Sequence, residues 1–159
     1  KEYRRQRQMC IRDSFKVAAY SSLAFATSDT WASEIGGNRI KGTTWSINGF
    51  QKVPPGTDGA ISIAGTFAAV GGALSIGVLV GVLLPTNSLV MGILVASTGL
   101  VATFMDSWLG AHFQDQYLVN STNRFFSSQF LYVGNNTVNW LSAGLASLLT
   151  IVIYLIIQQ

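Results

Sequence analysis

Charge is scarce in this 159-residue chain and unevenly spread. Only 11% of residues are charged, against about 25% in a soluble domain. Residues 59–105 and 125–159 contain no Asp, Glu, Lys or Arg, and after position 58 only Asp106, Asp115 and Arg124 remain. A chain that is 49% hydrophobic with this distribution lacks the polar shell a soluble fold needs and belongs in a bilayer. Cys10 is the only cysteine, which excludes an internal disulfide and a thiolate metal centre. The one histidine, His112, is read as an interfacial residue, not a ligand or base. No glycine-rich loop ending in Gly-Lys-Ser/Thr occurs, so a nucleotide would need a different cradle. No basic stripe with interleaved aromatics appears, which excludes a nucleic-acid partner. There is no internal repeat.

What is present is a short polar start followed by four apolar runs. The net charge of +3 arises largely in the first sixteen residues. The string Gln8-Met9-Cys10-Ile11-Arg12-Asp13-Ser14 resembles translated sequencing adapter, so residues 1–14 are expected to be non-native or disordered. Residues 15–159 are then a helical transmembrane domain, a fragment of a larger one that lacks its N-terminal spans. The apolar runs cover about 15–36, 61–84, 88–113 and 136–157. At about 1.5 Å per residue each is long enough to cross, or nearly cross, a hydrocarbon core of about 30 Å. The expected fold is all-α, a polytopic membrane bundle of about four transmembrane helices. Gly36-Gly37 ends the first run. Pro54-Pro55-Gly56 sits in a polar loop over 38–58, Pro85-Thr86-Asn87 forms a tight turn, and residues 114–135 form a second polar loop. Gly77 and Gly81 in the second run favour close helix packing.

Against this background the acids stand out. With Asp29 as zero on a helical wheel, Ser33 falls near 40°, Thr30 near 100° and Glu34 near 140°, one polar face at the end of the first run. Asp106 ends the third run on a stripe with Gly99, Thr103, Gly110 and Gln114. Four spans place loops 38–58 and 114–135 on the same side, so Asp29, Glu34, Asp58, Asp106, Asn136 and Asn139 converge on one membrane face. Arg39, Lys41, Lys52 and Arg124 lie in those loops, which puts that face in the cytosol or its equivalent. Carboxylates gathered at an interface repel unless protonated, paired or neutralised by a cation, and the available basic residues sit in loops. Asp, Glu, Asn and hydroxyl oxygens suit Mg²⁺, and the loop cations together with backbone amides at the glycines suit phosphate oxygens. The plainer alternatives are a turn and helix cap at Asp58 and helix caps at Asn136 and Asn139.

Four motifs carry a resemblance to a known family. They are Ser28-Asp29-Thr30-Trp31-Ala32-Ser33-Glu34-Ile35-Gly36, then Val53-Pro54-Pro55-Gly56-Thr57-Asp58-Gly59-Ala60-Ile61-Ser62 with Gly65-Thr66, then Met105-Asp106-Ser107-Trp108-Leu109-Gly110-Ala111 with Gln114, and Asn135-Asn136-Thr137-Val138-Asn139. In this order they resemble the family of transmembrane protein 19 and the chloroplast phytyl-phosphate kinase of vitamin E synthesis. The resemblance implies an integral membrane protein of the chloroplast or another endomembrane, with an isoprenyl phosphate as substrate and a nucleoside triphosphate as donor. The expected catalytic residues are Asp29, Glu34, Asp58 and Asp106, of which Asp29, Glu34 and Asp106 would hold Mg²⁺. Thr30, Ser33, Lys52, Thr57, Gly59, Ser107, Gln114, Asn136 and Asn139 are the expected substrate-binding residues. The alternatives are a cation- or proton-coupled transporter and a membrane protein without catalytic activity.

Overall fold

A computed structural model describes residues 2–38, 43–84, 88–113 and 134–158. Its elements, in chain order, are α1 (Glu2–Asn38), β1 (Thr44–Ser46), β2 (Lys52–Val53), β3 (Ala60–Ile61), α2 (Ile63–Leu83), α3 (Ser88–Phe113) and α4 (Asn135–Ile157). The helical bundle expected from the apolar runs is present, and α2, α3 and α4 are long and apolar enough to cross a membrane. Residues 2–14, expected to be disordered or non-native, are helical and run without a break into the rest of α1.

α1 is the polar helix of the bundle, and it packs against all three others. Its buried positions recur every fourth residue, as do those of α3 and α4, and the three helices stack in layers. Val17 meets Val95 and Tyr154 in the deepest apolar cluster. One layer further along, Ser21, Thr98 and Thr150 join hydroxyl to hydroxyl: Thr150 Oγ1 lies 2.6 Å from Ser21 Oγ and 2.8 Å from Thr98 Oγ1. Each of the three also reaches the carbonyl four residues back in its own helix. The next layer is apolar again, formed by Phe25, Ala102 and Ala146. Beside it Ser22 and Ser147 pair at 2.6 Å, and Ser147 donates to the Ala18 carbonyl. Hydroxyls that bond across helices and carry little bulk are how helices associate in lipid, where burial of apolar surface gives no net drive.

On the other flank, small residues set the spacing. A Cβ placed on Gly72 would lie 2.9 Å from Ser28 Cα, and one on Gly77 would lie 2.6 Å from the Gly92 carbonyl oxygen. Ser28 Oγ uses the close approach of α1 and α2 to donate to the Ala69 carbonyl at 2.9 Å.

The segment expected as a plain polar loop carries a small antiparallel sheet in the order β2-β1-β3. Thr44 pairs with Val53, and Trp45 pairs with both Lys52 and Ile61. Gly49 (φ 89°) and Phe50 (φ 52°) turn the chain between β1 and β2. Pro54-Pro55-Gly56 does break the strand, but pairing resumes on its far side. Strands of two or three residues leave no periodic signal in a sequence.

The spacing gives a test. Gly72→Val forces α1 and α2 apart and should lower stability by about 2 kcal/mol. Gly144→Val should change it by less than about 0.5 kcal/mol, because a Cβ there meets nothing within 4 Å. Thermal unfolding in detergent compares the two.

Candidate functional site

The helix ends nearest the sheet enclose a cavity of about 290 Å³. α1 and α3 end there, while α2 and α4 begin there, which is why residues distant in sequence share its wall.

Each wall has a local cause. At the α1–α2 corner a Cβ on Gly36 would lie 2.7 Å from Gly65 Cα. This contact puts Ser33 and Gly36 beside Gly65 and Thr66 in the lining. Ser62 caps α2: its Oγ accepts from Gly65 N at 3.1 Å and donates to the Gly36 carbonyl at 3.4 Å. The capping role considered as the plainer alternative for Asp58 thus falls to Ser62. The loop from Gly56 to Ile61 closes the top. Gly59 has φ 70°, and a Cβ there would overlap Ala111 and the Ser107 carbonyl, so only glycine lets the loop lie on α3. That seat places Asp58 at the rim. Thr57 makes the turn below it, donating from Oγ1 to the Pro54 carbonyl at 2.8 Å.

Two carboxylates enter the cavity from different helices. Asp29 of α1 is half-buried and Asp106 of α3 is buried, and they lie within electrostatic reach of one another. They occupy the layer directly above Phe25, Ala102 and Ala146, one turn further along each helix. Ser142 of α4 faces Asp106 in the same layer. Three buried polar side-chain atoms among the described residues have no hydrogen-bond partner: Asp106 Oδ1, Asn139 Oδ1 and Ser142 Oγ.

Of the residues singled out from the sequence, Asp29, Ser33, Thr57, Asp58, Gly59, Asp106 and Ser107 line this cavity. Thr30, Glu34, Lys52 and Asn136 are exposed and lie outside the lining. Asn139 is half-buried in α4 and also outside the lining. Gln114 lies outside the described residues. The trio Asp29, Glu34 and Asp106 does not assemble, and among the described residues no three His, Cys, Asp or Glu side chains come together as a metal-binding group. The reason is angular: Glu34 stands about 140° around α1 from Asp29, so turning Asp29 toward α3 turns Glu34 outward. The capping role considered for Asn136 and Asn139 gives way to Gly134, which caps α4 without a side-chain bond. His112 is exposed on the far side of α3, with Nδ1 2.8 Å from the Trp108 carbonyl. Ser62, Gly65 and Thr66 stood among the motifs without a site role. Ser142 was missed, although it sits one turn from Asn139.

Among the described residues, four packed helices, three of them long and apolar enough to cross a membrane, with a cavity at one end walled by acids from two helices, define an integral membrane protein. The chain belongs to the family described as integral membrane protein DUF92, whose profile matches residues 2–147. It is similar to Protein VTE6, chloroplastic, of Arabidopsis thaliana, with 32% identity over 148 residues, covering 91% of this chain and 40% of that protein. It is also similar to an uncharacterized membrane protein of Methanocaldococcus jannaschii, 38% identical over 105 residues, covering 66% of this chain and 43% of the relative. A third relative, an uncharacterized membrane protein of Synechocystis, is 35% identical over 121 residues, covering 70% and 44%. The chain thus spans about two fifths of the length of these curated relatives. No solved structure matches it.

The site requires one sidedness. With Cys10 replaced by serine, Asn48→Cys and Asn136→Cys should react with an impermeant maleimide from the same side of sealed vesicles, and Gln158→Cys from the other. Labelling of 48 and 136 from opposite sides would disperse the cavity.

Proposed function

We propose that this chain carries the phosphoryl-transfer site of a membrane lipid kinase, one that extends an isoprenyl monophosphate to the diphosphate at the cytosolic or stromal face. The observation behind the proposal is that Asp29 and Asp106, from separate helices, share one cavity with the start of α2. Like charges held in a poorly solvated layer call for a cation. The donors are hard oxygens, and Asp106 Oδ1 is buried without a hydrogen-bond partner among the described residues, so the set fits Mg²⁺. When bound there, Mg²⁺ would neutralise charge on the phosphates. The start of the 21-residue helix α2 shares the lining, and its dipole puts partial positive charge there, although Gly65 N is already capped by Ser62 Oγ and Thr66 Oγ1 donates to the Ser62 carbonyl. Gly56 and Gly59 in the covering loop let backbone approach phosphate oxygens.

The chemistry asks little more of the protein. A phosphate oxygen of the lipid attacks the terminal phosphorus of the nucleoside triphosphate. The bond to the bridging oxygen breaks, and the nucleoside diphosphate leaves with the electron pair. The attacking oxygen is already anionic at neutral pH, so no general base is required; positioning and charge neutralisation do the catalysis. The lipid tail is free to lie in the bilayer because the cavity sits at the membrane end of the bundle. Further support comes from the resemblance of the four motifs to the phytyl-phosphate kinase branch and from similarity to the chloroplastic relative. The apolar layer of Phe25, Ala102 and Ala146, which parts the carboxylates from the hydroxyl layer below, favours chemistry at one face over passage of an ion across the membrane.

The test is turnover of isoprenyl monophosphates against Mg²⁺ concentration. Asp106→Asn should reduce turnover by about a hundredfold, partly recovered at high Mg²⁺. Glu34→Gln, outside the cavity, should stay within about threefold of wild type. Near-normal turnover in Asp106→Asn would overturn the reading.

A further inference from the structure

The two polar layers of the bundle differ in one respect. In the deep layer Ser21, Thr98 and Thr150 satisfy one another and their own helix carbonyls, leaving nothing for a ligand to do. In the carboxylate layer the orphaned atoms accumulate: Asp106 Oδ1, Asn139 Oδ1 and Ser142 Oγ, from two helices. Asp106 is 7% exposed and Ser142 fully buried. An unpaired polar atom costs about 1–3 kcal/mol in a protein interior, and more where lipid replaces water. Three in one layer are not a packing device.

Register brings them to the same place. The α3–α4 contacts pair 98 with 150 and 102 with 146, so the next turn pairs Asp106 with Ser142. The α1–α4 contacts pair Ser22 with Ala143 and Ser147, and one turn further the partner of Asn139 is the stretch from Ala26 to Thr30, which includes Asp29. Asn139 and Ser142 are three residues apart and about 60° apart on α4. Neither lines the cavity, whereas Asp29 and Asp106 do, so the two side chains approach the carboxylate pair from the α4 side of the layer.

We propose that Asn139 and Ser142 complete a divalent-cation site with Asp29 and Asp106, the cation lying in the α1–α3–α4 layer where the two carboxylates wall the cavity. Charge supports this set over one containing Glu34. Two carboxylates and one divalent ion sum to zero, whereas a third carboxylate would leave a net charge in a layer with apolar packing beneath it. Neutral amide and hydroxyl oxygens add ligands without adding charge, and they are donors that Mg²⁺ and similar hard ions accept. This site rests on the functional reading above for its purpose but not for its existence.

The experiment is thermal unfolding of the purified protein in detergent, titrated with MgCl₂ against a choline chloride control of equal ionic strength, without substrate or nucleotide. Mg²⁺ should raise the unfolding temperature of wild type and of Glu34→Gln with the same midpoint concentration. Asn139→Ala and Ser142→Ala should each move that midpoint about tenfold higher, and the double variant further. Ser142→Ala removes a hydroxyl that stands beside the Asp106 carboxylate, so each midpoint is read against the same variant's unfolding temperature without Mg²⁺, and a general loss of stability cannot imitate the effect. A midpoint unchanged in both single variants overturns the proposal, as does a wild type that Mg²⁺ does not stabilise. A shifted midpoint in a protein that transfers no phosphate would retain the cation site and discard the kinase reading.

Discussion

The polar end of this bundle is organised by two carboxylates, Asp29 and Asp106, held in a poorly solvated layer within electrostatic reach of one another. Asp29 and Asp106 sit in consecutive turns of the same repeating layers that pack Val17, Ser21 and Phe25 against α3 and α4. The helices cannot move apart to relieve the repulsion without undoing those layers. Nor can water screen it fully, because the layer beneath is Phe25, Ala102 and Ala146. The bundle thus holds a charge conflict in place, one that the proposed cation would resolve. The stacking of α1 at Gly72 and Gly99 serves the same end, since a Cβ at either position would strike α1 backbone or the Ala24 side chain and widen the gap between the acids.

The second element is the opposing polarity of the cavity. The acids lie on α1 and α3, and the start of α2, with Ser62, Gly65 and Thr66, shares the same lining. A ligand that is anionic at one point and bound to a cation at another fits both walls. Phosphate with Mg²⁺ has that character, and a free cation or proton engages only one wall. The sheet of β1, β2 and β3 is fixed over this space through Gly59 on α3, so the loop that carries Thr57, Asp58 and Gly59 is also the roof.

The sequence made some of this legible and left the rest hidden for physical reasons. α3 begins and ends where the expected apolar run does, at Ser88 and Phe113, and α2 and α4 fall within two residues of their expected bounds. A helix in lipid is written directly in composition. The convergence of Asp29, Asp58 and Asp106 followed from counting spans. Glu34 did not follow, because a wheel shows which residues share an arc and cannot say which part of the arc a neighbour covers. The sheet was invisible because its strands are two and three residues long. Ser142 was invisible because a serine in an apolar run is ordinary until register places it opposite a buried acid.

The central claim is that Asp29, and not Glu34, faces Asp106. The direct measurement is thiol bridging in a Cys10→Ser background, with Asp29→Cys/Asp106→Cys compared with Glu34→Cys/Asp106→Cys under a short bifunctional crosslinker or Cd²⁺ protection. The account predicts efficient bridging of the 29/106 pair and none of the 34/106 pair. Bridging of 34 to 106 in place of 29 to 106 would contradict it.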